Sequence, residues 1–203
     1  AEAEGWFIGC PLTAKQMVEL PEEFVMDRII ESGKVAQELG AKIVGLGAFT
    51  SIVGDAGITV AKNLDIAVTS GNSYTVATAI MGTKQAAQLM GKDLKECRAV
   101  VVGATGSIGA ASTRLLAKEV KHITLVARHR GRLEELAQEL IEQNHCEVEI
   151  SQDIHAVLKQ ADIVITVTSA LDFLIEPDDL KPGAVVCDVA RPRNVSREVS
   201  LKR

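Results

Sequence analysis

The residues best suited to chemistry lie in one glycine-rich stretch, residues 100–109, which reads VVVGATGSIG. A β-branched run stops at Gly103, passes Gly106 and Gly109, and continues in a helical pattern. A strand, a tight turn and a helix N-terminus in this order form a phosphate site, because the first N–H groups of the helix point at the anion. The first glycine permits the turn, the second lets the backbone approach a pyrophosphate, and the third lets the helix pack on the strand.

This string alone is also compatible with a glycine-rich turn in another kind of α/β protein, so the surrounding elements have to decide. If it binds a dinucleotide, the whole loop is expected to contact the cofactor. The candidate residues are Gly103, Ala104, Thr105, Gly106, Ser107, Ile108 and Gly109.

The end of the next predicted strand indicates which dinucleotide binds. Folds that prefer NAD usually carry an acidic residue there, whereas residues 127–130 read ARHR. A guanidinium donates bidentately to a 2′-phosphate, and one charge-assisted hydrogen bond of about 1.5–3 kcal/mol favours NADP by about 10- to 100-fold. We therefore predict NADP as the cofactor, with Arg128 as its phosphate ligand. The alternative is that Arg128, Arg130 and Arg132 are only the solvated start of a helix.

The elements that position this loop alternate between strands and helices. In the second half, strands are predicted at residues 99–102, 123–127, 146–150, 163–167 and 184–187, with amphipathic helices between the first three. Apolar strands that alternate with helices predict a doubly wound parallel sheet, and the glycine loop follows its first strand, as the Rossmann fingerprint requires.

The first half has a smaller β-α-β pattern. Strands are predicted at residues 6–10, 42–47 and 66–69, with a helix after Pro21 that ends at Gly40. A further helix runs from Tyr74 to Gly91. We therefore predict an α/β fold in two domains, a substrate-side α/β unit at residues 1–92 and a Rossmann NADP-binding domain at residues 93–203.

Two polar, glycine-bearing segments follow the strands of the first unit, where open α/β sheets place ligand-binding loops. They read GLGAFTSIVGDAG from Gly45 and TSGNSYT from Thr69. The substrate-side candidates in them are Phe49, Thr50, Ser51, Asn72, Ser73 and Thr75. Ordinary loop structure for the first three, and helix capping for Asn72 or Ser73, are equally open interpretations.

Composition limits the function classes. The 203 residues are 47% hydrophobic and 24% charged with a net charge of −5, which argues against a dedicated nucleic-acid binder. No apolar run approaches the length of a membrane span and no cleavable signal is recognisable, so we expect a cytoplasmic protein. The four cysteines lack metal-ligand spacing, and no metal site is predicted.

The segments GLGAFTS, TSGNSYT and VVGATGSIG, followed by the Ala127-Arg128 pair, resemble the aldehyde-forming long-chain acyl-[acyl-carrier-protein] reductases over residues 8–195. The resemblance implies NADPH-dependent reduction of a fatty acyl thioester, carried by an acyl carrier protein or coenzyme A, to an aldehyde. It also implies a cysteine nucleophile that forms an acyl-enzyme.

That resemblance places the nucleophile downstream of Arg203, so the catalytic residues are unknown and the chain is expected to lack the C-terminal part. The cysteines present (Cys10, Cys97, Cys146 and Cys187) are better explained as packing residues, although Cys10 ends an apolar run.

The closing half, with ADIVITVTSA and VVCDVARPRNVSREV, is also similar to glutamyl-tRNA reductases and shikimate-type dehydrogenases. In these folds the loop after the fourth strand lies beside the nicotinamide, which implies cofactor contacts for Thr166, Val167 and Thr168. The lysine-aspartate pair of the shikimate-type enzymes has only weak counterparts here, in Lys62 and Asp65, which fit a solvated helix end.

Two alternatives to acyl reduction remain open. One is a stand-alone NADP-binding module without catalysis, and the other is a dehydrogenase of shikimate, an amino acid or a methylene-tetrahydropterin. A short-chain dehydrogenase is excluded because that chemistry needs a Tyr-x-x-x-Lys pair, and Tyr74 is followed four residues on by Thr78.

Partners follow from charge and exposed apolar surface. The basic tail could steer an acidic carrier protein, although such a run is also typical of a solvated surface. Its basic residues are Arg191, Arg193, Arg197, Lys202 and Arg203. An apolar N-terminal sheet edge and the missing C-terminal part favour a homodimer.

Overall fold

The computed structural model describes residues 3–143, 146–168, 170, 174–190 and 192–202. The chain divides into two compact units, Ala1–Asn72 and Ser73–Arg203. Residues 73–92 therefore belong to the second compact unit. The functional domain boundary expected between residues 92 and 93 stays a prediction.

The first unit packs three helices around a pair of short strands. Its elements are α1 (Ala14–Glu19), α2 (Glu22–Glu38), β1 (Ile43–Gly45), α3 (Ile58–Lys62) and β2 (Ala67–Thr69), and β1 pairs with β2 in parallel. Helix α2 follows Pro21 and carries Glu22 and Glu23 in its first turn, where acids favour the positive end of the helix dipole. Its buried face forms a small aliphatic core with α1, α3 and Leu46.

The strand predicted at residues 6–10 is wrong. These residues have no regular secondary structure, and the side chains of Trp6 (45% exposed) and Phe7 (fully exposed) are not held by burial. A short apolar run becomes a strand only when a neighbouring strand accepts its backbone hydrogen bonds, and the pairing described in this unit joins only β1 and β2.

The second unit is a five-stranded sheet with helices between its strands. Its elements are α4 (Asn72–Leu89), β3 (Arg98–Val102), α5 (Ser107–Leu116), β4 (His122–Val126), α6 (Arg130–Gln143), β5 (Glu147–Ser151), α7 (Ile154–Leu158), β6 (Ile163–Thr166), β7 (Val185–Asp188) and α8 (Val199–Lys202). All pairings are parallel and the order is β5-β4-β3-β6-β7. The α/β fold with a doubly wound parallel sheet is therefore confirmed.

Both faces of this sheet are covered. Ala99 and Val101 of β3 pack into one apolar cluster, while Val100 and Val102 pack into another on the opposite face. A strand that is buried on both faces needs an uninterrupted apolar sequence, which is why these runs are recognisable as strands. The strand order reverses between β3 and β6, so a crevice opens at the carboxyl ends of these two strands. None of the described helices is both long and apolar enough to cross a membrane.

Candidate functional site

The glycine loop turns sharply at the carboxyl end of β3. Gly103 has a φ of +85°, a left-handed conformation that favours glycine. The backbone N–H groups of Gly103 and Ala104 both donate to the carbonyl oxygen of Val126, at 2.8 and 3.1 Å. The start of the loop is thereby fixed to the end of β4.

The last glycine brings α5 against this turn. A Cβ atom on Gly109 would overlap the carbonyl oxygen of Gly103 and lie 3.1 Å from the Cα atom of Ala104. Gly106 is the extended N-cap of the ten-residue helix α5, and its carbonyl oxygen accepts from the N–H of Ala110 at 2.8 Å. The N-terminus of α5 therefore opens at the crevice, which suits an anion.

A cleft of about 730 Å³ lies over this loop. Three segments form most of its wall: the glycine loop, the end of β4 with the start of α6, and the residues after β6. The lining residues are Val102, Gly103, Thr105, Gly106, Val126, Ala127, Arg128, His129, Arg132, Gln152, Ile154, Val167, Thr168, Ala170 and Leu174. Six predicted cofactor residues are among them: Gly103, Thr105, Gly106, Arg128, Val167 and Thr168.

The other predicted cofactor residues are not part of the lining. Ala104 and Thr166 have no exposed surface, and their contact with a cofactor stays a prediction. Gly109 is buried beneath the turn, and Ser107 and Ile108 lie at the start of α5 outside the lining. His129, Arg132 and Gln152 line the cleft but are not among the site residues predicted from the sequence.

The basic run after β4 splits into two groups. Arg130 Nε donates to Glu134 Oε1 at 2.8 Å, one helical turn further on. Arg128 and Arg132, by contrast, line the cleft together with His129, and the backbone carbonyl of Arg128 accepts from Gln152 Nε2 at 2.9 Å. The described lining of the cleft contains cationic side chains and no carboxylate.

Next to Thr168 of the cleft lining, the buried side-chain amide of Asn194 accepts hydrogen bonds from several donors. The hydroxyl groups of Thr166 and Thr168 both donate to Asn194 Oδ1, at 2.7 and 2.8 Å. Asn194 has no exposed surface. Thr166 and Thr168 precede Asn194 by 28 and 26 positions, and no sequence pattern connects residues at these separations.

The substrate-side candidates of the first unit have local structural roles. Phe49 packs against the core of this unit. The hydroxyl groups of Thr50 and Ser51 donate to the carbonyl oxygens of Gly47 and Ala48, each at 2.7 Å. Thr50 also lines a separate cleft of about 650 Å³ within this unit. Substrate contact by these three residues stays a prediction.

The remaining candidates lie at the start of α4. Asn72 is its first residue, and the preceding Gly71 has a φ of +73°. The side chain of Ser73 is exposed, and the backbone carbonyl of Thr75 accepts from the hydroxyl of Thr78 at 3.1 Å. These positions are compatible with the helix-start interpretation, and their role toward a substrate stays a prediction.

The cysteines are placed as packing residues. Burial raises the pKa of the Cys97 thiol, with a further contribution from the Asp162 carboxylate, and burial raises the pKa of Cys146. Cys10 packs against the core of the first unit and Cys187 against that of the second. Among the described residues, no group of acidic, histidine and cysteine side chains could hold a metal ion.

The two other charged features are ordinary surface. Asp65 is bonded to Gln37 through both its carboxylate and its backbone N–H, at 3.0 and 2.8 Å, and Lys62 ends α3 as an exposed residue. In the basic tail Arg193 and Arg197 are exposed and Lys202 pairs with Glu198. The other two tail arginines, Arg191 and Arg203, lie outside the described residues, so carrier docking stays a prediction.

The chain is similar to one protein-family model and to several known proteins. A family model described as shikimate / quinate 5-dehydrogenase matches residues 84–202. The chain is 32% identical over its full length to the aminotransferase PigE of Serratia sp., of which it covers 24%. It is 30% identical, over 85% of its length, to the long-chain acyl-[acyl-carrier-protein] reductase of Synechococcus elongatus, of which it covers 52%.

Glutamyl-tRNA reductases are also similar, with 26% identity over 85% of the chain and 41% of the Trichodesmium erythraeum protein. The chain thus spans about half or less of these relatives. Two solved structures share the fold: a dipicolinate synthase from Bacillus halodurans (TM-score 0.55, 16% identity, 79% of this chain and 55% of that chain) and a probable ornithine cyclodeaminase from Bordetella pertussis (TM-score 0.51, 17% identity, 68% and 44%). Reductases and a dehydrogenase family are thus among the proteins that this chain resembles, and its parallel sheet and glycine loop have the arrangement of a nucleotide-binding Rossmann domain.

Proposed function

We propose that this chain, which belongs to the shikimate/quinate 5-dehydrogenase family through residues 84–202, binds NADPH and is part of a reductase of fatty acyl thioesters. The observation that carries the cofactor choice is the cationic lining of the cleft. Arg128, His129 and Arg132 line its wall at the end of β4, and the described lining contains no carboxylate that could bind a ribose 2′-hydroxyl.

A 2′-phosphate suits this wall better than a hydroxyl group does. The planar guanidinium donates two parallel hydrogen bonds to a phosphate, and Arg128 and Arg132 both line the same cleft. Arg130 is engaged with Glu134 and is left out of this role. The proposed assignment therefore retains Arg128 from the sequence and adds Arg132, which the sequence treated only as part of the helix start.

The strand order supports an orientation for the cofactor. A dinucleotide crosses the crevice where the order reverses, with its pyrophosphate at the N-terminus of the first helix. Here the adenosine half would lie toward Arg128 and the nicotinamide half toward Val167 and Thr168. When bound, NADPH would supply a hydride to an acyl carbonyl carbon, with a thiol as the leaving group.

The choice of an acyl thioester rests on resemblance. The GLGAFTS and TSGNSYT segments accompany the nucleotide loop, and the reductase of Synechococcus elongatus matches 85% of the chain. The family match by itself would also favour a dehydrogenase of shikimate or a similar acid. The geometry of the first unit does not support that second candidate, because Asp65 is bonded to Gln37 and Lys62 is an exposed helix end.

The test is a substrate screen with the natural protein that carries this chain. Acyl carrier protein and coenzyme A loaded with long-chain acyl groups are supplied with NADPH, and both NADPH consumption and aldehyde are measured. We expect one aldehyde per NADPH consumed. Turnover of shikimate or an amino acid with NADP⁺ would contradict acyl reduction, and NADPH binding without any turnover would leave a binding module.

A further inference from the structure

Asn194 holds together the segment that closes one end of the cleft. Its side-chain oxygen accepts from Thr166 Oγ1 at 2.7 Å, from Thr168 Oγ1 at 2.8 Å and from the backbone N–H of Thr168 at 3.3 Å. The amide nitrogen finds no acceptor among the residues that the structure describes. The side chain is therefore held through its oxygen.

The backbone of Asn194 fixes two more segments. Its N–H donates to Asp188 Oδ2 at 3.0 Å, at the end of β7. Its carbonyl oxygen accepts from the N–H groups of Leu174 and Ile175, at 2.8 and 3.1 Å. One fully buried residue thus joins the ends of β6 and β7 to the chain segment between them.

Val167 and Thr168, the first residues after β6, lie close to the glycine loop. A Cβ atom on Gly103 would lie 3.1 Å from the carbonyl group of Val167 and 3.2 Å from Thr168 Cγ2. The wall formed by Val167 and Thr168 is therefore packed closely against the glycine loop. A small shift of this wall changes the half of the cleft that is remote from Arg128.

We propose that Asn194 is a positioning residue for the nicotinamide half of the dinucleotide. Its amide oxygen sets the place of Val167 and Thr168, and through them the affinity for that half, while the adenosine half binds independently of it. The inference rests on the proposed NADPH function.

The test compares the binding of NADPH with the binding of a ligand that represents only its adenosine half. Dissociation constants for NADPH and for adenosine 2′,5′-bisphosphate are measured by calorimetry on the wild type and on Asn194→Ala. Loss of the shared acceptor frees the wall formed by Val167 and Thr168, and holding this wall in place in the complex then costs about as much as one hydrogen bond. We therefore expect about tenfold weaker NADPH binding. Binding of the bisphosphate should stay within about twofold of the wild type.

Two further variants separate positioning from general damage. Thr166→Val keeps the shape of a side chain without exposed surface and removes one donor to Asn194, so it should weaken NADPH about threefold and leave the bisphosphate unchanged. Ser112→Ala removes a buried hydroxyl with no partner among the described residues, within α5, and should change neither constant.

The outcomes are distinct. If Asn194→Ala and Thr166→Val bind NADPH as the wild type does, or if both ligands weaken equally, the positioning role is wrong while NADPH binding stands. If Asn194→Ala does not fold, Thr166→Val decides alone. If the wild type itself does not bind NADPH, the proposed function fails first.

Discussion

At the scale of single residues, Arg128 and Arg130 show how similar side chains in one run acquire different roles. The guanidinium of Arg130 is bonded to Glu134 one helical turn away, a pairing that its i, i+4 spacing favours. Arg128 precedes the helix and lines the cleft. The sequence singled out Arg128 within this run, but not Arg132, which also lines the cleft.

Replacing Arg128 should reduce the preference for the phosphorylated cofactor. Arg128→Ala removes a charge-assisted contact, so we expect NADPH affinity to fall about 10- to 100-fold and NADH affinity to stay unchanged, as measured by calorimetry. Arg130→Ala is the matched control and should leave both affinities within about twofold. An equal loss of affinity for the two cofactors in Arg128→Ala would argue against a phosphate contact.

Gly109 is required by a close approach of backbone to backbone. In Gly109→Ala the new Cβ atom would meet the carbonyl group of Gly103, so α5 has to move away from the turn. We expect a loss of about 1–3 kcal/mol in the free energy of unfolding, measured with urea, together with weaker NADPH binding.

The control for this variant is a glycine with open space around it. Gly82 lies within α4, and apart from its own stretch of helix no atom of the described residues lies within 4 Å of a Cβ placed on it. Gly82→Ala should therefore raise the free energy of unfolding by about 0.5–1 kcal/mol, since alanine favours the helix. Equal stability of Gly109→Ala and the wild type would contradict the packing argument.

The contacts of Asn194 could not be predicted from the sequence. The glycines were recognisable because their spacing follows from one local turn. The partners of Asn194 come from the end of another strand, and only the parallel pairing of β6 with β7 brings them together. A sequence without the fold cannot assign such a contact.

At the scale of elements, an ion cluster fixes the amino ends of β3 and β6. The Asp162 carboxylate accepts from Lys181 at 2.7 Å, from Lys92 at 3.2 Å and from the backbone N–H of Arg98 at 3.0 Å. Burial alone would raise the pKa of Asp162, but these hydrogen bonds outweigh it and the pKa is lowered. The charged form therefore stabilises the fold.

Removing this charge should destabilise the second unit. We expect Asp162→Asn to lose about 2 kcal/mol in the free energy of urea unfolding at neutral pH, because hydrogen bonds to a charged group are lost. Glu149→Gln, whose side chain is 58% exposed and pairs with Arg98 at 3.8 Å, should lose less than about 1 kcal/mol.

The difference between wild type and Asp162→Asn should also depend on pH. Because the pKa of Asp162 is lower in the folded state, its contribution is complete above the unfolded value of about 3.9 and is lost as the pH falls through the folded value. A difference that stays constant down to the lowest pH at which the protein folds would contradict this role.

The strands of the second unit have recognisable sequence patterns: β5 alternates and is only partly buried, and the other four are apolar runs. All five lie within one or two residues of the predicted positions. A continuous apolar run such as that of β3 has few other places in a folded chain. Residues 6–10 have the same apolar character without a pairing partner, and there the prediction was wrong. Whether an apolar run forms a strand depends on a neighbouring strand that pairs with it, and this pairing cannot be read from the sequence of the run.

At the scale of the whole molecule, alternation of strands and helices was sufficient for the fold. A β-strand, a crossover helix and a parallel strand return in one hand, so the doubly wound sheet follows from the order of elements. The cleft follows in turn from the reversal of strand order between β3 and β6. The residues that would hold a substrate do not follow in this way. Phe49, Thr50 and Ser51 have contacts within their own unit, and their contact with a substrate stays a prediction.

The cationic cleft over the glycine loop is expected to bind NADPH, which carries a 2′-phosphate, more tightly than NADH. The most direct test is calorimetric titration of the wild-type protein with NADPH and with NADH under the same ionic strength. We expect NADPH to bind at least about tenfold more tightly than NADH, as one charge-assisted phosphate contact would provide. Equal affinities, or tighter binding of NADH, would contradict it.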